Sequence, residues 1–247
     1  MKAKFFALVA LVLGLASCQK DQAGLDVIVD GEQETTISVS LPETTRANSA
    51  LGAFENLVSS SEYTIRYIFQ VFYEGTELQA ARQVIYTDEN SLSFPVRLVP
   101  NRHYNFVVWA DVTTTAGKTL DTIHNLTIAD AAAADIHYNT EDLTDITLKG
   151  EWNAMDETRD AFTGIYSTKA AGEKYSGAST INVVLTRPFA KLRVVTTDME
   201  ALANLGINPT HAILEYTTPY RAGFNALTCT PFEADQNNIK VHQRSST

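Results

Sequence analysis

Residues 63–73 read Tyr-Thr-Ile-Arg-Tyr-Ile-Phe-Gln-Val-Phe-Tyr, and this stretch leaves few folds open. Tyr63, Ile65, Tyr67, Phe69, Val71 and Tyr73 fall on one face of an extended chain, while Thr64, Arg66 and Gln70 punctuate the other. Wound as a helix, the same side chains would scatter around the circumference and bury nothing together. The turn Glu74-Gly75-Thr76 leads into a second strand near 81–87, and Asp88-Glu89-Asn90 turns the chain again. Leu92, Phe94, Val96 and Leu98 then alternate with polar neighbours. Among those neighbours Pro95 has no N–H to give to a ladder, which places the strand at an edge or a bulge. Tyr104, Phe106, Val108 and Ala110 continue the alternation, yet Val107 and Trp109 are apolar on the opposite face. A central strand covered on both sides satisfies both sets. Asp111 is expected to cap its end.

Around this block the strands are shorter. Ile37, Val39 and Leu41 alternate with serines and are closed by Pro42. Ile146, Leu148 and then Trp152 suggest another strand, and Gly164, Gly172 and Gly177 mark a loop-rich interval. Ile181, Val183 and Leu185, then Ala190, Leu192 and Val194, resume the alternation. Asp198 is expected to N-cap a short helix over 199–205 that Gly206 stops. Ala212, Leu214 and Tyr216 begin one more strand, and 233–247 is polar with little apolar periodicity. Many short strands separated by turns point to an all-β fold, an antiparallel Greek-key sandwich followed by the start of a second, incomplete sandwich. The expected divisions are 1–17, 18–48 with the first strand, 49–177 for the first sandwich, and 178–247 for a partial second one with a poorly ordered tail.

The first eighteen residues say where such a chain goes. Lys2 and Lys4 form a basic start, 5–15 is an apolar run too short to span a bilayer comfortably, and Leu15-Ala16-Ser17-Cys18 supplies a small-residue cleavage box. This reads as a bacterial lipoprotein signal, in which Cys18 would become the acylated mature N-terminus and 19–36 a solvated tether, with an ordinary secretory signal as the alternative. Gln19 follows it rather than the aspartate associated with inner-membrane retention, so the outer membrane is the expected location. Loss of Lys2 and Lys4 takes the formal charge from -10 to -12, by subtracting two. An acidic chain without a basic cluster is a poor match for nucleic acid.

Chemistry is sparse. Cys229 is the only cysteine besides Cys18, so no disulfide framework forms within the mature chain, and no zinc spacing exists. Ala116-Gly117-Lys118-Thr119 lacks the early glycine of a phosphate loop, since Val112 stands there. His103, His124, His137 and His211 are scattered, and Asp156, Glu157 and Asp160 lack the glycine of a calcium loop, reading instead as a capping cluster. No catalytic constellation, metal or cofactor is expected. Asp121-Thr122-Ile123 resembles the acidic, hydroxyl, aliphatic triplet that Bacteroidetes modify with O-glycans, which makes Thr122 a candidate attachment site.

Three stretches carry a wider resemblance. Thr35-Thr36-Ile37-Ser38-Val39-Ser40-Leu41 followed by Arg46-Ala47, then Phe106-Val107-Val108-Trp109-Ala110-Asp111, then Arg187-Pro188-Phe189-Ala190-Lys191-Leu192 are similar, in that order, to landmarks of the fimbrillin family. Its members are lipoprotein pilins and related surface proteins of Bacteroidetes. The resemblance implies transthyretin-like sandwiches and cleavage after an arginine that frees the first strand, whose groove is then filled by a strand from a neighbouring subunit. Arg46, with Ala47 after it, is the only arginine between Cys18 and Tyr63 and matches that position. It implies partners too: the outer membrane through the lipid, and other fimbrial subunits through strand exchange. Against the family's two sandwiches, the stretch beyond 178 reads as shortened. The alternative expectation is a lipoprotein that binds host or other glycans through aromatics on one sandwich face, with Trp109, Trp152 and several tyrosines as candidates, although core burial accounts for Trp109 equally well.

Replacing Cys18 with Ala is expected to move the protein from the membrane to the soluble fraction on cell fractionation, because a chain without its acyl groups loses about 0.8 kcal/mol for each buried methylene. Unchanged membrane retention would place the anchor elsewhere.

Overall fold

In the computed structural model the ladder between β2 (Tyr63–Tyr73) and β5 (Tyr104–Thr114) runs through eleven registered pairs, from Tyr63 opposite Thr114 to Tyr73 opposite Tyr104. The chain divides into two compact units, Met1–Asp30 and Gly31–Thr247. The described residues are 31–42, 61–77, 79–125, 137–149, 152–153, 156–177, 180–189, 197–208, 221–233 and 241–242, all in the second unit.

On either side of the ladder lie β3 (Gln79–Thr87) and β9 (Ala161–Ser167), giving an antiparallel sheet of order β3-β2-β5-β9. A second sheet has β1 (Gln33–Ser40) at its centre, β4 (Ser91–Leu98) on one side and β10 (Thr180–Val184) on the other. The two sheets close on one core. Ile65, Phe69, Val71, Phe106 and Val108 meet Ile37, Val39, Phe94, Val96 and Val183, with Phe69 stacked 5.1 Å from Phe94 and 6.2 Å from Phe106. The all-β sandwich expected from the alternation is therefore present, and Pro95 sits on the edge strand β4.

The opposite face of the central sheet is buried as well. Ile68, Phe72, Val84, Tyr86, Val107 and Trp109 pack against Tyr138, Leu143, Ile146, Phe224 and Ala226. These come from or beside a small sheet of order β12-β11-β7-β6, made of β6 (Tyr138–Asn139), β7 (Ile146–Leu148), β11 (Gly223–Asn225) and β12 (Thr230–Phe232). The double-sided burial read from Val107 and Trp109 is thus met by a third layer.

Burial on this face changes the meaning of its polar residues. Thr64, Arg66 and Gln70 alternate with apolar neighbours, yet all three are buried. Arg66 lies opposite Asp111 in the ladder and grips it with two charge-assisted bonds, Nε to Oδ1 at 2.9 Å and Nη2 to Oδ2 at 2.5 Å. Asp111, expected as a cap, is instead an interior residue of β5, which continues to Thr114.

Two expected boundaries also move. Gly164 lies within β9 and not in a loop; a Cβ there would stand 2.7 Å from Val183 and 2.8 Å from Leu185. A residue without a side chain lets β9 approach the other sheet, and Thr163 and Thr186 exchange two backbone bonds of 2.8 Å across the gap. Residues 180–184, expected to open a second sandwich beyond Gly177, pair in parallel with β1, and β11 pairs with β7 across the same expected boundary. Position 177 therefore divides no sheet from another.

Further along, α1 (Met199–Asn204) follows Asp198, which stands at the cap position but makes no side-chain cap bond, while Gly206 at φ 77 closes the helix end as expected. Within the polar 233–247 stretch, β13 (Val241–His242) pairs in parallel with β8 (Trp152–Asn153). The strands expected at 190–194 and 212–216 lie outside the described residues.

Asp111→Ala is expected to cost about 3–5 kcal/mol in chemical denaturation, because Arg66 keeps its buried charge and loses its carboxylate. The double replacement Arg66→Met with Asp111→Leu should recover most of that loss; if it is no better than the single variant, the pair is not what the burial is organised around.

Candidate functional site

The groove around β1 is built from its neighbours' edges. β4 runs antiparallel along it through eight pairs, Gln33 opposite Leu98 to Ser40 opposite Ser91, and β10 runs parallel through five, Thr36 opposite Thr180 to Ser40 opposite Val184. Thr35, Ile37, Val39 and Leu41 point inward and are buried, while Thr36, Ser38 and Ser40 form the half-buried outer face. Burying three aliphatic side chains stabilises the strand by on the order of 5–9 kcal/mol, an upper figure.

Both ends of β1 are also held. At the start, the Tyr175 hydroxyl donates to the Gln33 carbonyl at 2.5 Å, and burial pushes the Tyr175 phenol up to about 12. Gly177, at φ +81, packs so closely on Gln33 that a Cβ would collide with it. At the other end Leu41 N donates to Asn90 O at 2.9 Å and Leu185 N to Ser40 O at 3.0 Å. Cross-strand polar contacts add register: Glu34 meets Arg97 at 3.2 Å, and the Ser38 and Ser93 hydroxyls lie 3.3 Å apart. The exposed ion pair contributes little energy, so apolar burial and the main-chain ladder hold the strand.

Of the residues singled out from the sequence, Cys18, Arg46 and Ala47 lie outside the described residues. Thr122 is described and exposed, on a loop that runs along the free edge of β3: His124 and Val84 exchange backbone bonds of 2.7 and 2.8 Å, and Asp121 N reaches Tyr86 O at 2.7 Å. The loop covers the edge and leaves the Thr122 hydroxyl on its outside, 3.3 Å from Leu120 O. In the same loop Lys118 lies 5.6 Å from the Tyr86 ring centroid, its ammonium pushed down by burial and by the Arg66 charge. It occupies no phosphate cradle.

The acidic cluster resolves into structural roles. Asp156 caps a single 3₁₀ turn, Glu157–Arg159, by accepting from Thr158 N at 3.1 Å, and Asp160 takes Arg187 in a two-pronged pair at 2.7 and 2.6 Å. Among the described residues no group of three or more His, Cys, Asp or Glu could hold a metal ion. Thr158 Oγ1 stands between Asp156 Oδ1 and His137 Nε2 at 2.5 Å from each, which brings together the residue types of a hydrolytic triad. Its proton goes to the carboxylate, however, so His137 must donate to the threonine oxygen and cannot act as its base. Burial, followed by the Arg159 charge, lowers His137 to about 4 against the opposing pull of Asp156.

Aromatic residues gather on the third layer. Trp109 is fully buried, so it offers no platform to a ligand, and the side chain of Trp152 lies outside the described residues. Phe189 is 39% exposed and stacks on Tyr138 with centroids 5.9 Å apart and planes 9° from parallel. Beside it opens a cavity of about 20 Å³, walled by Tyr138, Ile146, Leu148 and Phe224, with Thr147 and Arg221 also lining it. The periodicity of each segment gives no sign of this site, because its walls come from four separate stretches of chain. No helix among the described residues is long and apolar enough to cross a membrane.

A family model described as a family of unknown function, DUF6562, matches residues 27–246. No curated protein and no solved structure matches the chain.

A neutral buried histidine makes stability fall on acidification. The unfolded chain takes up a proton near pH 6.5 and the folded one only near 4, so the unfolded state binds more protons between those values. His137→Gln is expected to flatten the fall of melting temperature between pH 6.5 and 4 relative to the parent chain; identical pH profiles would show that His137 is not held neutral.

Proposed function

The chain belongs to the DUF6562 family, whose function is unknown, and for this member we propose a structural role as a fimbrillin-like surface subunit that assembles by exchange of its first strand. One observation carries this: the most N-terminal described strand is not an edge but the middle of its sheet, between partners that do not pair with each other. Most of the fold follows β1 in sequence, so a cut after Arg46 would sever β1 from everything else while leaving it seated by non-covalent contacts. The vacated trough would present two unpaired ladder edges and an apolar floor. A neighbouring subunit's strand would satisfy both through main-chain bonds and side-chain pockets. Lipid on Cys18 would hold the uncut precursor at the outer membrane, and Thr122, outside the edge-covering loop, is where we place an O-glycan. No catalytic role is assigned.

Brief digestion with an arginine-specific protease followed by intact-mass measurement is expected to give a first cut after Arg46. Arg66 and Arg82 are buried within β2 and β3 and should resist. The cut protein should retain its β1 fragment on a sizing column under native conditions and exchange it for a labelled peptide spanning 31–42. Initial cleavage elsewhere, or a cut protein that takes up no peptide, would overturn the proposal.

A further inference from the structure

We infer that the cavity beside Phe189 binds an N-acylated acidic sugar, of which a sialic acid residue is the simplest example. This site lies on the third layer and is separate from the β1 groove, so it stands whether or not strand exchange occurs.

Three features of the site select that chemistry together. The pocket is open to solvent on one side, and its space of about 20 Å³ holds one group the size of a water or a methyl. Its walls at Ile146, Leu148 and Phe224 are apolar, which favours a methyl such as that of an acetamido group. Next to it Phe189 is 39% exposed as a residue, although its ring stacks on Tyr138 and meets Trp109 and Phe224 edge-on. A fixed, partly exposed ring is a surface for the C–H face of a pyranose.

The third feature is charge. Arg221 lines the site, and its Nη1 donates to the Pro231 carbonyl at 3.1 Å, which orients the guanidinium. No described carboxylate pairs with it, and none lines the cavity. In a chain of net charge -10, a guanidinium beside an apolar cavity and in no ion pair with a described carboxylate matches a carboxylate brought by the ligand. Thr147 adds a hydroxyl on the same lining. A ring with a carboxylate on one side and an acetamido group on another meets all of these at once, whereas a neutral hexose leaves the arginine unanswered.

Saturation-transfer NMR on the purified chain tests this, with sialyllactose and lactose as probes at about 5 mM, a range suited to the weak affinity of a single sugar. The acetyl methyl protons of sialyllactose are expected to receive the strongest saturation, and lactose little. Arg221→Gln should weaken binding roughly tenfold, the value of one charge-assisted hydrogen bond, with an unchanged melting temperature because the side chain is exposed. Phe189→Leu should weaken it as well, with the fold checked by the same melting curve. The inference is overturned if sialyllactose gives no transfer, if lactose binds as well, or if Arg221→Gln binds as the parent does. Equal binding by N-acetylaspartate would overturn the assignment to a sugar.

Discussion

Double-sided burial of the β2–β5 ladder is the constraint from which the other layers follow. Both strands present large side chains to both faces, Phe69, Phe106 and Val108 on one side and Ile68, Val107 and Trp109 on the other. Each face exposed to water would forfeit on the order of 1.5–3 kcal/mol per large side chain. Two covers are therefore needed, and they are made differently. The β10-β1-β4 sheet covers one face with regular ladders, whereas the other is covered by strands of two or three residues and by single side chains such as Leu143 and Ala226. The second cover has few cross-strand bonds of its own and is held down by what it buries.

The Arg66–Asp111 pair belongs to this balance. Two charges between layers cost desolvation energy, and only a two-pronged geometry returns most of it. Such a pair adds little net stability. It does penalise any slip in the β2–β5 register, because a shift of one residue would send each charge to a different face and break the pair.

Much of this was legible in the residues. Alternation through Tyr63–Tyr73 and Tyr104–Ala110, with apolar residues on both faces of the latter, indicated the strands and a cover on each side of β5, and Pro95 marked an edge. What alternation cannot express is partnership across long separations. The parallel pairing of β1 with β10 joins residues more than a hundred positions apart, and neither segment encodes the other. Gly164 reads as a breaker because local propensity prices the missing side chain, not the close approach of Val183 that requires it. Asp111 reads as a cap for the same reason: its pairing with Arg66 is made across the sheet. The cavity at Phe189 was least legible, since a concave surface made from four segments has no one-dimensional trace.

The groove at β1 has a handedness that its composition does not reveal. One wall runs parallel to the strand and the other antiparallel, and the spacing of donors and acceptors differs between those two ladders. An occupant inserted backwards would meet each wall with the wrong pattern, whatever its side chains. Any series of molecules joined through this groove would therefore have a distinguishable front and back, an open head-to-tail contact that does not close into a symmetric pair. Polarity would come from backbone direction alone.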